Sequence, residues 1–195
     1  MFVPYKIVNE KTASLHEKSE LVKTPISLED TKLAVSLFNH VLKSQNKDFA
    51  TLHNIRPGVG LACPQVGINK RMFAIHAYDE DDVLGLAIIN PKIVSTNKEL
   101  IYLNGGEGCL SVDRPTTGVT PRYSKITVEG FVFDFDKQVF NKKKFVLKDY
   151  FAIVFQHEYD HLDGILYTDK LMDEDEAKSK GILSLWEEDE EEEEN

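Results

Sequence analysis

The run Gln156-His157-Glu158-Tyr159-Asp160-His161 constrains this chain more than any other segment. On an α-helix, residues i and i+4 project from one face, so His157 and His161 can reach a single cation with Glu158 beside it. Neutral imidazole suits zinc and iron(II) among the transition metals. A bound cation lowers the pKa of water from ~16 to roughly 7 in favourable sites, and a neighbouring carboxylate can take the proton. The same spacing also arises by chance on polar helix faces, so the surroundings decide. Here they are apolar: Phe151, Ala152, Ile153, Val154 and Phe155 precede the run and Leu162 follows it, which predicts a helix deep in a core. Two histidines, Glu158 and Asp160 buried there without partners would cost several kcal/mol, a penalty that a metal and its supporting hydrogen bonds remove. Gly164 is the expected C-cap.

Two imidazoles underfill a catalytic metal, which generally takes three protein ligands and one water. Gly105-Gly106-Glu107-Gly108-Cys109-Leu110-Ser111 offers a third, because its glycines allow close backbone approach and Cys109 can bind as thiolate. A lone cysteine is more often a small buried hydrophobe, the role expected of Cys63. Around it, Gly58-Val59-Gly60-Leu61-Ala62-Cys63-Pro64-Gln65-Val66-Gly67 sets one uncharged amide, Gln65, among apolar neighbours, where it can donate to a substrate oxygen. This is no phosphate loop, since neither the glycine spacing nor a Lys-Ser/Thr pair is present.

Taken in order, these three segments resemble the peptide deformylase family, whose motifs are a Gly-x-Gly-Leu-Ala-x-x-Gln loop, a Glu-Gly-Cys-Leu-Ser strand and a Gln-His-Glu-x-Asp-His helix. The resemblance runs from about Val59 to Tyr167. Ser-Val-Asp after the cysteine motif, with the long Cys109–His157 spacing, looks most like the Gram-positive type. It implies that Cys109, His157 and His161 are metal ligands and that Glu158 is general base and later general acid. The implied substrate is the N-formyl-methionine of a new peptide, hydrolysed to formate and a free amino terminus. The oxyanion formed on attack would be met by the Gln65 side chain and the backbone N–H of Leu110. Val59, Gly60 and Gly108 resemble the family's backbone contacts to a peptide laid down as an added strand. Ile153, Val154 and the ring edge of His157 are expected around the methionine side chain. Glu107 and Arg122 read equally as a buried pair bracing the cysteine strand or as unrelated surface charges. One thiolate with two imidazoles accepts Fe2+, Zn2+, Ni2+ or Co2+, and the resemblance implies iron(II), hence oxygen sensitivity. Two positions depart from the family: Cys63 stands where alanine is usual, near Cys109 by inference, and Asp149-Tyr150-Phe151 replaces a Gly-x-Pro approach to the helix.

Residues 1–186 are expected to form one domain, since 195 residues can bury a single core and no Ser/Gly/Pro-rich linker divides them. The expected class is α+β, with mostly antiparallel sheets around the central metal-binding helix. Behind Ser27, with Asp30 as its capping partner, the spacing of Leu33, Ala34, Leu37, Phe38, Val41 and Leu42 predicts a packing helix over Leu28–Leu42. His40 and His53 are expected at the surface; His76 is ambiguous. Strand-like runs cover 73–75, 84–89, 92–95, 99–103, 125–135 and 144–147, separated by turns at 79–82, Asn90-Pro91 and 141–143.

No stretch reads as a signal peptide or membrane span, and two cysteines argue against a disulfide scaffold, so the expected compartment is the cytoplasm. The net charge of −10 resides mainly in Glu187–Glu194, eight acids that cannot form a core. Residues 187–195 are therefore expected to be a disordered tail, either solubilising or docking a basic ribosomal protein; it would repel RNA, and no DNA partner is expected. Two rival functions stay open. A His-Glu-x-x-His zinc metallopeptidase would draw its third ligand from Asp169, Asp173 or Glu174 but leaves the Cys109 segment unexplained. A binding module with a structural metal would use Cys63 as fourth ligand but has no need of Glu158 or Gln65.

Overall fold

The computed structural model describes residues 2–186, and the expectations for 187–195 lie outside them. In chain order, a 3₁₀ turn Ala13–Leu15 precedes α1 (Leu28–Ser44), α2 (Lys47–His53), β1 (Gly60–Ala62) and a second turn, Cys63–Val66. Then come β2 (Met72–Asp79), β3 (Asp82–Thr96), β4 (Leu100–Leu103), β5 (Arg122–Tyr123), β6 (Lys125–Asp134) and β7 (Val139–Lys148). The remaining elements are α3 (Asp149–Leu162), a turn Tyr167–Lys170, α4 (Glu174–Ser179) and β8 (Leu183–Leu185). One sheet has the order β1-β2-β3-β6-β7 with all neighbours antiparallel; the other is β5-β4-β8, where β4 and β8 run parallel.

The larger sheet is covered on both faces. Along β2, Phe73, Ile75 and Ala77 join Ala152, Val154, Phe155 and Leu162 of α3, whereas Met72 and Ala74 join Ala34, Leu37, Phe38 and Val41 of α1. Strand alternation thus feeds two cores, and each large side chain buried contributes roughly 1.5–3 kcal/mol. Phe155 meets Phe73 edge-on at 5.0 Å between ring centroids, fixing α3 against the sheet. The helix starts at Asp149, whose N–H donates to the Ser124 carbonyl at 2.7 Å, so no Gly-x-Pro lead-in is needed. At its far end Gly164 adopts φ 74, as a residue just beyond a helix C-cap commonly does.

Several local expectations are corrected. Helix α1 is capped as expected, Ser27 Oγ accepting the Asp30 N–H at 3.0 Å, but runs on to Ser44. His40 is buried, not at the surface, because the N-terminal segment crosses α1 and the Tyr5 N–H donates to its Nδ1 at 3.0 Å. His53 is half-buried, packed on Phe49 in α2, a helix too short for its apolar period to register. Asn90-Pro91 is an irregularity within β3, not a turn; the Asn90 side chain bonds both backbone groups of Val22 at 2.9 Å. Asn141–Lys143 lies in β7, and the reversal falls at 135–138, where the Asp134 carboxylate accepts the N–H groups of Asp136 and Lys137. The turn between Asp79 and Asp82 is where the sequence placed it. His76, ambiguous in the sequence, lies buried in β2, with Nδ1 hydrogen-bonded to Gln45 at 2.6 Å.

Candidate metal centre and cleft

Helix α3 presents His157 and His161 one turn apart, and the loop between β4 and β5 brings Cys109 to them. One donor atom from each of the three lies within 4.8 Å of the others, and Cys109 Sγ is 3.4 Å from His161 Nε2. His157 donates Nδ1–H to Glu107 Oε2 at 2.7 Å, which leaves Nε2 as its lone-pair donor. The two rings stand edge-on, 5.0 Å apart at 82°. His161 is almost wholly buried, yet its Nδ1 has no partner among the described residues, and neither has Glu158 Oε2. A sulfur, two imidazole nitrogens and unanswered buried polar atoms beside them fit a borderline-soft divalent cation with three protein ligands and one open position.

The surrounding charges order these groups. Burial pushes the Glu158 carboxyl up to about 7; the positive charge of His157 pulls against this, Glu107 reinforces it and Arg122 opposes it. Burial also disfavours protonated His157, but hydrogen bonds to Cys109 and Glu107 and their charges outweigh it and raise that imidazole well above its ordinary value. His161 is held well below, first by burial and then by the positive charges of His157 and Arg122. Glu107 is burdened by burial, yet Arg122 and His157 hold its carboxyl down to about 2.

Of the two readings of Glu107 and Arg122, the buried pair is correct. Arg122 Nε and Nη2 donate to the two Glu107 oxygens at 2.7 and 2.9 Å, with side chains 2% and 4% exposed. Arg122 Nη1 also donates to Asp160, which accepts Lys170 Nζ at 2.6 and 2.7 Å. A chain of alternating charge thus runs from Lys170 near the surface to a ring nitrogen of His157. Losing one member of such a buried pair typically costs about 3–5 kcal/mol. Sequence reading found Glu107 and Arg122 but missed Asp160 and Lys170 as their partners; the only signal was that Asp160 shares the apolar helix.

Above the three ligand-type residues opens a cleft of ≈ 710 Å³, lined among others by Val59, Gly60, Gln65, Gly108, Cys109, Leu110, Ile153, Val154, His157 and Glu158. Every residue expected to act on substrate lines it, and His161 lies just behind. Gln65 is locked by the Ala62 N–H, which donates to Oε1 at 2.7 Å, so that Nε2 points at Cys109 Sγ at 3.5 Å and Ser111 Oγ at 3.4 Å. Strand β1 is the edge of its sheet, with hydrogen-bonding groups on one side committed to β2. Gly60 must be small: a Cβ there would sit 2.6 Å from Glu158 Cδ. Among the cleft residues to which sequence reading assigned no functional role are Arg56, which donates to the Leu110 carbonyl and pairs with Asp113 at 2.8 Å, Tyr150, and Tyr167, stacked on His157.

The residues that the two rival functions required lie elsewhere. Cys63 is fully buried in the core beneath α1, where burial pushes its thiol up to about 12. Asp169 accepts the Leu166 N–H, Asp173 caps α4, and Glu174 faces Tyr102 and Lys178.

Residues 4–177 match the family described as Polypeptide deformylase. The chain is 43% identical over 166 residues to a peptide deformylase of Halalkalibacterium halodurans, covering 85% of this chain and 88% of that one. It is 41% identical over 172 residues to peptide deformylase 2 of Bacillus subtilis, covering 88% and 91%. Among solved structures, a probable peptide deformylase from Synechococcus phage S-SSM7 superimposes with a TM-score of 0.64 at 32% identity, covering 86% of this chain and 99% of that one.

Proposed function

The chain belongs to the peptide deformylase family, hydrolases that remove the formyl group from an N-terminal formyl-methionine, and from that premise we propose a role for each residue of the cleft. Cys109, His157 and His161 hold one divalent cation, natively iron(II). When bound, it supplies a Lewis acid that brings the pKa of a water toward neutrality and polarises the formyl oxygen. Glu158, whose Oε2 has no partner among the described residues and whose carboxyl is pushed by burial up to about 7, accepts a proton from the attacking water and returns it to the departing amine nitrogen. The products are formate and a free amino terminus, so atoms balance with one water consumed. The Gln65 Nε2–H and the Leu110 N–H meet the negative charge that develops on the formyl oxygen. Gln65 cannot turn away, because its other end is held by Ala62.

Val59, Gly60 and Gly108 give the peptide backbone its contacts, with β1 as the edge onto which an extended substrate adds. Ile153, Val154 and the His157 ring edge receive the methionine side chain. Among the described residues no helix is long and apolar enough to cross a membrane, and we place the enzyme in the cytoplasm. Delivery of nascent chains by a basic ribosomal protein that engages residues 187–195 completes this reading. Unchanged ribosome co-sedimentation after their deletion would refute that part.

The observation that supports the reading best is the convergence of Cys109, His157 and His161, the first two lining with Glu158 a peptide-sized cleft. The test is incubation with formyl-Met-Ala-Ser. Formate release with an intact tripeptide backbone is expected; internal fragments would point to a peptidase, and neither product to a structural metal. Anaerobic loading with iron(II) is expected to give the most active enzyme, decaying in air. Full air-stable activity with zinc would overturn the assignment of iron.

A further inference from the structure

The outer end of β1 is held by a side chain of α1. The Val59 carbonyl accepts the His76 N–H at 2.8 Å, continuing the register in which Gly60 faces Ile75. The next two acceptors, the carbonyls of Gly58 and His76, are both taken by Gln45 Nε2, at 2.9 and 2.7 Å. Gln45 Oε1 faces His76 Nδ1 at 2.6 Å, and the Gly58 N–H donates to Ser44 Oγ at 3.2 Å. An amide set against two carbonyls turns its NH2 group to them, so Oε1 accepts from the ring N–H and the Gln45 side chain has one orientation. Gln45 is the C-cap of α1, a helix anchored in the core by Leu37 and Val41. Both backbone polar groups of Gly58 are thus tied to the end of that helix.

The same segment lies on the path of a bound peptide. A Cβ on Gly60 would collide with Glu158, so Gly60 marks the reacting end of the strand edge. In one direction from it, Leu61 and Ala62 are fully buried; in the other, Val59, Gly58 and Pro57 line the cleft. A peptide laid on β1 with its formyl group beside Glu158 therefore extends past Val59 toward Pro57. There a second hollow of ≈ 360 Å³ continues the cleft, sharing Pro57, Gly58, Val59 and Tyr150 with it and adding Gln45 and Tyr78.

Building on the deformylase reading, we infer that Gln45 is a positioning residue for the part of the substrate that follows methionine. It touches no reacting atom. By tying the carbonyls of Gly58 and His76 to one amide, it extends the β1–β2 ladder with a side chain and presents the Gly58–Val59 edge already ordered. Without that tie the segment must be ordered by the substrate itself, a cost taken from binding that leaves proton transfer at Glu158 untouched. The effect belongs to KM and grows with the residues after methionine.

The experiment compares the parent with Gln45→Met, which keeps the side-chain length and removes both amide donors, on formyl-methioninamide and on formyl-Met-Ala-Ser. Metal content and denaturant unfolding are measured on both proteins. The parent should show the higher kcat/KM on the tripeptide. Gln45→Met should raise KM for the tripeptide by about tenfold with kcat within about twofold, the size expected for the net loss of one or two hydrogen bonds. On formyl-methioninamide, which has no residue after methionine, the two proteins should agree within about twofold. Equal losses on both substrates, a loss confined to kcat, an unchanged KM, or a parent that gains nothing from the two added residues overturns the inference. Should Gln45→Met not fold, Ser44→Ala, which removes the acceptor of the Gly58 N–H, is read by the same comparison, with about a threefold rise in KM for the tripeptide expected. No formate from the parent with either substrate would instead overturn the deformylase reading beneath it.

Discussion

Replacing Gly60 by alanine should disable Glu158 without touching any metal ligand. The new Cβ would stand 2.6 Å from Glu158 Cδ and closer still to Oε1, where ordinary contact begins at 3.4 Å. The backbone of β1 has little freedom to yield, because Gly60, Leu61 and Ala62 pair with Ile75, Ala74 and Phe73, and Ala62 is also tied to Gln65. The Glu158 side chain must give way, by at least about 0.8 Å at Cδ, and a misplacement near 1 Å at a reacting group can cost about 100-fold. The Gly60→Ala enzyme should therefore keep one metal per chain by elemental analysis. It should release formate with kcat reduced about 100-fold and KM changed much less, and overpacking should cost about 1–3 kcal/mol of stability. A kcat within threefold of the parent, with metal retained, would refute the argument that Glu158 is fixed against this strand and acts from there.

Three further outcomes follow from other parts of the molecule. Gln65→Leu removes the amide donor and should lower kcat by about 10²–10³ in the formate assay, the range for loss of one such hydrogen bond. In metal-stripped protein at pH 8, iodoacetamide should modify Cys109 and spare Cys63, whose buried thiol is pushed up to about 12; peptide mapping reads the difference. Asp30 pairs with Lys70 at 2.6 Å and accepts the Ser27 hydroxyl; burial disfavours its charge, but these partners outweigh it and hold its carboxyl below the ordinary 3.8. A carboxyl lowered on folding stabilises above its unfolded pKa, and the contribution fades as pH falls through the folded value. Asp30→Asn should thus cost about 1 kcal/mol at pH 7, kept small by the exposure of Lys70, and the difference from the parent should close as pH falls below about 4 in denaturant titrations.

What sequence could and could not convey divides along a physical line. His157, Glu158 and His161 were legible because helical geometry relates i to i+4 whatever the rest of the chain does. Cys109 and Gln65 were legible as candidate donors from their own segments, but their place beside α3 entered only through the resemblance, since donor chemistry is local and that proximity is not. The cap of α1 was legible for the same local reason: Ser27 and Asp30 are three residues apart. The misplaced turns at Asn90-Pro91 and Asn141–Lys143 show the limit. Turn chemistry predicted breaks where hydrogen bonds to Val22 hold a left-handed Asn90 as an irregularity inside β3, and where pairing with β6 holds 141–143 extended.

The sequence by itself therefore determined the pairing of His157 with His161 and the place of the Glu158 carboxylate beside them, because those depend on residue type and on spacing along one helix. It also determined that eight negative charges follow Trp186. Only the tertiary structure decided that His40 is interior, that Cys63 faces the α1 core and not the metal centre, and that Lys170 reaches His157 through Asp160, Arg122 and Glu107. Only it set Trp186 on Tyr150 at the cleft rim. Each of these joins residues far apart in the chain. Such contacts are chosen by which surfaces two cores and two sheets bury together, a global packing condition that no local spacing encodes.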